Sequence, residues 1–595
     1  MIIPSAVSRE FIYITSLART FRRLRGVVPG SRLTIVDIVE NWARKTPDQP
    51  AIICGDDSFS YRALDAAANR YARWAHAQGI GPGSSVALLM ENRPQYLMAW
   101  LGLFKVGAVA ALINSNLRGV PLAHSIASCE AGHLVLGHEL AEEYRDVLPL
   151  LPTPPAAWAT GKHPGFEDLD AALEAVGPAP ADRAWRAGLT CASKAFYIFT
   201  SGTTGLPKAA NVSHFRVLYM MKGFAGAVGT RASDRVYDVL PLYHSVGGVC
   251  APGMALTAGG TLILRRKFSV HDFWDDCVRY RPTVFQYIGE LCRYLLYAPP
   301  SPHEREHHLR AVIGNGLRSD IWQAFQSRFA IPRIIEFYGA TEGNVVLMNY
   351  DGKVGAVGRI PSWLRSVFTT RIVRFDIEKE IPVRDAQGFC IECADGEVGE
   401  AIGQITRDPR SRFDGYARDV DTQNKVLRHV FAPDDAWFRT GDLMKRDHLG
   451  YFYFIDRIGD TFRWKGENVA TGEVAEALGA IEGIVEANVY GVVVSGNDGR
   501  AGMAALVVTP DFDVSGLADR LKGNLPGYAR PVFLRLLPQM EITGTFKQRK
   551  VDLVKDGFDP NHIVNPLYLL DPDASRYRPL DAATYRDIVE GRYKF

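Results

Sequence analysis

Nine consecutive residues, Thr200-Ser201-Gly202-Thr203-Thr204-Gly205-Leu206-Pro207-Lys208, constrain this chain more than any other stretch. Glycine lets a backbone turn tightly and approach an anion. Backbone N–H groups and the hydroxyls of Thr200, Ser201, Thr203 and Thr204 are donors for phosphate oxygens, and Lys208 adds a mobile positive charge. The apolar run Ala195–Phe199 before it reads as a strand, which puts the loop at a strand's carboxyl end. A Walker A loop requires G-x-x-x-x-G-K-[ST]. Here Gly202 and Gly205 are too close together and Ala209 follows the lysine, so a P-loop NTPase is excluded. The bland alternative is a Ser/Thr/Gly surface loop, which fits poorly with nine such residues in order after an apolar strand.

At 595 residues the chain exceeds what one core supports, so two or more domains are expected. A net charge of +2 makes no case for nucleic-acid binding. Eight cysteines in so long a chain do not form a disulfide framework, and with no secretory signal visible a reducing cytoplasm is the expected compartment. Residues 11–28 mix apolar side chains with Arg19, Arg22, Arg23 and Arg25 and contain no acid. That segment reads as a basic amphipathic helix lying peripherally on an anionic membrane, or as a helix packed on the protein. Val239–Leu264 carries no charge and is long enough to span a bilayer, but two prolines and five glycines interrupt it. A buried helix, a Gly259-Gly260 turn and a strand Thr261–Leu264 are the better reading.

Strand and helix patterns alternate through the first 340 residues, for example strand Ser85–Met90, helix Pro94–Val106 and strand Ala108–Ile113. Such alternation predicts an α/β domain with a largely parallel sheet. Leu148–Pro180, rich in proline, reads as a loop-rich connection. Shorter strands with turns at Asp351-Gly352, Asp395-Gly396 and Leu449-Gly450 predict a β subdomain, and the last 135 or so residues a separate small α/β unit. The fold class is therefore α/β: a large N-terminal α/β domain with a β subdomain, plus a small mobile C-terminal α/β domain. The boundaries are 1–34 for the N-terminal segment, 35–455 for the large domain, 456–460 for a hinge and 461–595 for the small domain.

Three further stretches follow in order. Tyr338-Gly339-Ala340-Thr341-Glu342 leaves the strand Arg333–Phe337, Thr440-Gly441-Asp442 precedes Asp456-Arg457, and Thr543-Gly544-Thr545-Phe546-Lys547 lies near the C-terminus. With the phosphate loop they resemble the adenylate-forming superfamily of acyl-CoA synthetases, luciferases and peptide-synthetase adenylation domains. The resemblance implies ATP, CoA and Mg²⁺. It implies that Tyr338, in the loop with Gly339 and Ala340, stacks on adenine, that Thr341 bonds the α-phosphate and that Glu342 binds the metal. A hard cation on phosphate favours carboxylate and water ligands. Gly314-Asn315 would pass over the adenine and the acyl pocket, Asp442 and Arg457 would grip the ribose, and Lys547 would be the catalytic lysine, with Lys550 as its competitor. Where superfamily members place Asp or Lys at the hinge, this chain has Gly459; Lys465-Gly466-Glu467 matches the loop that helps form the pantetheine tunnel, and His244 borders the acyl channel.

Ala110–Arg118, Ile288–Leu295, Gly314–Arg318, Phe462–Val469 and Pro566–Leu570 are similar to the fatty acid transport protein, or very-long-chain acyl-CoA synthetase, branch from about residue 35 onward. The expected activity is ligation of a long or very long fatty acid to CoA through acyl-AMP. The alternatives are a CoA ligase for a sterol side chain or bile acid, an acyl-AMP ligase feeding a carrier protein, and a membrane fatty acid uptake protein. His303-Glu304-Arg305-Glu306-His307 fits H-E-x-x-H in letters but lies between prolines and a strand, where a zincin needs a long helix. Cys390-Ile391-Glu392-Cys393 lacks the second pair of a zinc site.

Overall fold

The computed structural model describes residues 6–201, 206–377, 379–497, 499–541, 550–572 and 574–595. The chain forms two compact units: Met1–Asn315 with Phe325–Lys353 and Ile405–Val426, and Gly316–Ala324 with Val354–Gln404 and Leu427–Phe595.

The first unit is built on two sheets. One runs in the order Val346–Asn349, Ile334–Gly339, Ala311–Asn315, Val284–Ile288, Arg235–Asp238, Thr261–Leu264, Pro50–Cys54, Asp57–Ser60. Its inner strands are parallel and its outermost pairs antiparallel. The parallel strands Thr261–Leu264, Val284–Ile288 and Ala311–Asn315 are mostly apolar and buried along nearly their whole length because both faces are covered. The other sheet runs Glu167–Asp168, Ala156–Ala159, His133–Leu136, Ser85–Leu89, Val109–Leu112, Lys194–Ser201, Pro207–Ser213. The charge-free stretch is buried helix, turn and strand, as its glycines and prolines predict. The predicted loop connection Leu148–Pro180 needs correction: it supplies two strands and the helix Leu169–Val176. Those strands are four and two residues long and are the last two of their sheet, so their periodicity is too brief to read.

The N-terminal segment forms the helix Ala6–Leu24, whose inner face carries the buried Tyr13, Ser16, Leu17 and Thr20. It packs on the helix His214–Val228, where a Cβ at Gly226 would meet Thr20 Cα at 2.6 Å. Arg19 donates to Gly226 O (2.6 Å) and Ala227 O (3.0 Å), and Arg23 donates to Thr230 O. These arginines answer carbonyls at a helix C-terminus, a favourable place for a cation. The outer face leaves Val7, Phe11, Ile14 and Phe21 exposed. Among the described residues no helix is long and apolar enough to cross a membrane.

The second helix of that contact begins at His214, which is 1% exposed and has neither ring nitrogen hydrogen-bonded. Its ring meets the edge of Phe104 at 4.6 Å, and burial, with Arg186 nearby, drops its pKa to about 3.

The second unit holds an antiparallel sheet in the order Gly358–Arg359, Tyr451–Arg457, Ala436–Arg446, Val398–Gln404, Thr370–Asp376, Ile381–Pro382, which is the predicted β subdomain. A five-stranded sheet of Ile484–Val493, Arg500–Val508, Phe533–Leu536, Leu567–Asp571 and Arg576–Pro579 forms the C-terminal α/β portion. All eight cysteines are free; seven are buried, and Cys54 is half-buried.

Candidate functional site

In the first unit the segment predicted to bind phosphate is bounded by two antiparallel strands, Lys194–Ser201 and Pro207–Ser213, with Thr200 paired to Lys208. A Walker loop opens a helix; this one returns as a strand, so Lys208 is held in sheet register. Its ammonium lies 2.9 Å from Asp421 Oδ1. Gly202, Thr203, Thr204 and Gly205 lie outside the described residues, and Ser201 closes the first strand.

The strand Ile334–Gly339 ends in Tyr338 and Gly339, followed by Ala340, Thr341 and Glu342. Thr341 Oγ1 and Ser245 Oγ share a hydrogen bond of 2.9 Å. Glu342 is 8% exposed and one carboxylate oxygen, Oε1, accepts from Tyr416 Oη at 2.7 Å. Burial, then Glu342, pushes the Tyr416 phenol upward, so it stays a donor. Gly314 is paired with Tyr287 on one side and Glu336 on the other, and a Cβ there would meet Tyr287 O at 2.3 Å. Asn315 ends the same strand. The donor set fits Mg²⁺: one carboxylate beside hydroxyls, with the remaining ligands left to phosphate and water. Among the described residues no cluster of three His, Cys, Asp or Glu forms a dedicated cage.

His244 follows Tyr243, whose hydroxyl accepts from Asn116 Nδ2 at 2.8 Å. Directly after it, Val246–Cys250 is a π-helical turn, a form that concentrates at functional sites. A Cβ at Gly248 would lie 1.9 Å from Leu242 O, so this turn folds only around glycine. Gly247, Gly248, Val249 and Cys250 of this turn are buried.

In the second unit Asp442 and Arg457 face each other across neighbouring antiparallel strands, with Arg457 Nε 3.9 Å from Asp442 Oδ1. Their separation in sequence hides this pairing; the strand register creates it. The fully buried Glu400 accepts from Arg439 Nε (3.1 Å), Arg439 Nη2 (2.8 Å) and Gly441 N (3.3 Å), and so fixes the turn that presents Asp442.

Gly459 follows that strand in an exposed turn where a Cβ would meet nothing within 4 Å. Just before it, the buried Asp456 accepts from Thr471 N (2.5 Å), Thr471 Oγ1 (3.1 Å) and Thr461 Oγ1 (3.2 Å). Lys465-Gly466 is the tip of a two-residue hairpin in which Trp464 pairs with Glu467. Both tip residues have positive φ, 51° and 82°, the signature of a type I′ turn. A lysine in the left-handed region is uncommon, and here the type I′ turn imposes it.

Thr543–Lys547 lies outside the described residues, so the placement of Lys547 is not part of the geometry. Lys550 bonds Asp460 Oδ2 (3.0 Å) and Thr471 Oγ1 (2.9 Å). His303 pairs with Glu306 (2.8 Å), whereas the His307 ring bonds Phe329 O (2.7 Å) and accepts from Leu309 N (3.1 Å). The two rings therefore serve separate partners within a turn. Sequence reasoning missed Tyr416, Asp421 and Glu400. A Gly-Tyr step and ordinary acids carry no local signal; only long-range pairing brings Tyr416 to Glu342 and Asp421 to Lys208 in the first unit, and Glu400 to Arg439 in the second.

Solved structures of CoA ligases share this fold. An anthranilate CoA ligase in complex with anthranoyl-AMP matches with a TM-score of 0.74 at 19% identity, covering 89% of this chain and 98% of its own. A benzoate CoA ligase from Burkholderia xenovorans LB400 matches with a TM-score of 0.73 at 20% identity, covering 88% and 100%. The architecture is thus that of the CoA-ligase fold. The model of the AMP-binding enzyme family matches residues 39–400. Long-chain fatty acid transport protein 2 of Rattus norvegicus is 41% identical over 594 residues, covering 98% of this chain and 95% of its own length. Long-chain fatty acid transport protein 3 of Homo sapiens is 45% identical over 525 residues, covering 87% and 76%. The chain belongs to the AMP-binding enzyme family and, within it, to the long-chain fatty acid transport proteins.

Proposed function

We propose that this chain is an AMP-forming fatty acid–CoA ligase acting on long or very long chains. The observation that carries the reading is its match along nearly the full length to long-chain fatty acid transport proteins, with the adenylation motifs in order. The fatty carboxylate attacks the α-phosphorus of ATP, giving acyl-AMP and pyrophosphate; the CoA thiol then attacks the acyl carbonyl and AMP leaves. Thr200–Gly205 and Lys208 would hold the leaving phosphates, Thr341 would donate to the α-phosphate and Glu342 would hold Mg²⁺. Tyr338, with Gly339, Ala340, Gly314 and Asn315, frames the adenine. Asp442 and Arg457 take the ribose, and Lys547 neutralises charge on the attacking side. When bound, the metal supplies positive charge against the phosphates. The segment 456–460 is the hinge; rotation about Gly459 withdraws Lys547 and brings Lys465-Gly466-Glu467 to the CoA arm, while His244 borders the acyl channel.

Measuring CoA-dependent AMP release across acids of increasing length, with one sterol acid in the panel, tests the reading. Maximal release with long or very long acids is expected; release confined to the sterol acid, or none with any acid, overturns it.

A second reading concerns the membrane. The outer face of Ala6–Leu24 leaves Val7 80% and Phe11 69% exposed, beside the exposed Arg22 and Arg25. We propose peripheral contact with an anionic cytoplasmic leaflet through this face. Phe11→Ser with Ile14→Ser should abolish co-sedimentation with phosphatidylserine vesicles; unchanged co-sedimentation refutes it. Outer-face substitutions suit the test better than deletion, because the inner face is part of the core.

A further inference from the structure

The segment Ile405–Val426 belongs to the first unit although the chain on either side of it belongs to the second. It lies along the free edge of Pro207–Ser213. Asn211 N donates to Gly415 O (3.0 Å), Ala417 N to Ala209 O (2.8 Å) and Ser213 Oγ to Asp414 Oδ2 (2.9 Å), with Ala210 bridged to Tyr416. Tyr416 N is itself fixed by Thr422 Oγ1 at 2.9 Å. This register delivers two side chains to the phosphate site. The Tyr416 hydroxyl reaches Glu342, and Asp421 reaches Lys208 at 2.9 Å.

We infer that the Asp414–Asp421 strap presets the charges of the phosphate site: Tyr416 orients Glu342 for the metal, and Asp421 holds Lys208 until a polyphosphate takes its place. The inference rests on the adenylation reading. Tyr416 donates to Glu342 Oε1, and among the described residues no donor meets Oε2, the oxygen a cation would take. A buried carboxylate without that donor would be less well aimed, and loss of such an orienting partner typically costs 10- to 100-fold in metal affinity. Asp421 acts in the opposite sense. Its carboxylate neutralises the Lys208 ammonium, so an incoming polyphosphate must displace it, and ATP or pyrophosphate binds more weakly than to an unpaired lysine. The same competition returns Lys208 to Asp421 as pyrophosphate departs. Tyr416 and Asp421 are therefore positioning residues, acting through Glu342 and Lys208.

Calorimetry on the full chain tests this, with ATP plus Mg²⁺, ATP in EDTA and inorganic pyrophosphate in EDTA as probes. Tyr416→Phe should raise the Mg²⁺ concentration needed for tight ATP binding about tenfold while leaving ATP binding in EDTA unchanged. An equal loss with and without Mg²⁺ would mean a merely structural tyrosine and would overturn its role. Asp421→Asn should tighten pyrophosphate binding in EDTA roughly two- to tenfold; unchanged or weaker binding overturns the displacement. Urea midpoints establish that each variant folds, and Asp421→Ser serves if the asparagine variant does not. Wild-type protein that fails to exchange pyrophosphate into ATP would refute the adenylation reading itself. Wild-type exchange with unshifted variants would refute the strap alone.

Discussion

Replacing His214 by phenylalanine isolates the acid sensitivity of the helix that follows the strand Pro207–Ser213. The folded imidazole is neutral and unpaired, with a pKa of about 3, whereas the unfolded chain titrates near 6.5. Between those values the unfolded state binds a proton that the folded state does not, so stability is full above pH 6.5 and falls as pH drops towards 3. At pH 5 the deficit spans about 1.5 pH units, which is about 2 kcal/mol at 1.36 kcal/mol per unit. Phenylalanine keeps the ring against Phe104, and any cost of its larger volume is independent of pH. Urea unfolding of wild type and His214→Phe at pH 7.5 and pH 5, followed by tryptophan fluorescence, reads the difference directly. Wild type should lose about 2 kcal/mol more than the variant on acidification. Equal losses in the two proteins would refute the argument that this ring is held neutral by its surroundings.

Lys547→Ala should slow adenylate formation on the order of 100-fold or more yet spare thioester formation from supplied acyl-AMP; assaying the two half-reactions separately checks it, and equal loss in both refutes the assignment. Gly459→Pro should block thioester formation with adenylation retained, while Gly459→Ala should be tolerated because the space around that position is open; the same two assays decide. Lys105 is 3% exposed and sits 2.8 Å from both Glu40 and Asp65, so Lys105→Met should cost about 3 kcal/mol by chemical denaturation. Burial pushes the Glu40 carboxyl up, but Lys105 and the neighbouring arginines bring it down to about 2. That stability is present above the unfolded value near 4.5 and lost as pH falls through about 2, so the variant's acid-unfolding midpoint should move to higher pH.

What the sequence discloses about the site depends on how local the chemistry is. The strand before Thr200 and the loop after Phe337 are legible because an apolar run and its turn are adjacent in the chain. The parallel core is legible for the same reason, through uninterrupted apolar strands such as Thr261–Leu264. Arg19 and Arg23 look like membrane-facing charges in one dimension, yet they satisfy carbonyls of a helix some 200 residues away. Tyr416, Asp421 and Glu400 are invisible for a related reason: an edge pairing and a strand register set their roles. The Lys465-Gly466 tip was legible as a motif, but its left-handed lysine emerges only from backbone geometry.

The buried cysteines have a consequence for an enzyme whose proposed co-substrate is itself a thiol. Burial pushes the thiol of every one of the eight upward, Cys191 to about 11 and Cys129 and Cys393 to about 12. Thiol–disulfide exchange proceeds through the thiolate, which is scarce at neutral pH when the pKa is this high. The disulfides of CoA and of glutathione therefore find little thiolate on the folded chain. The core that supports the sheets thus also insulates the protein from the redox state of its own substrate pool.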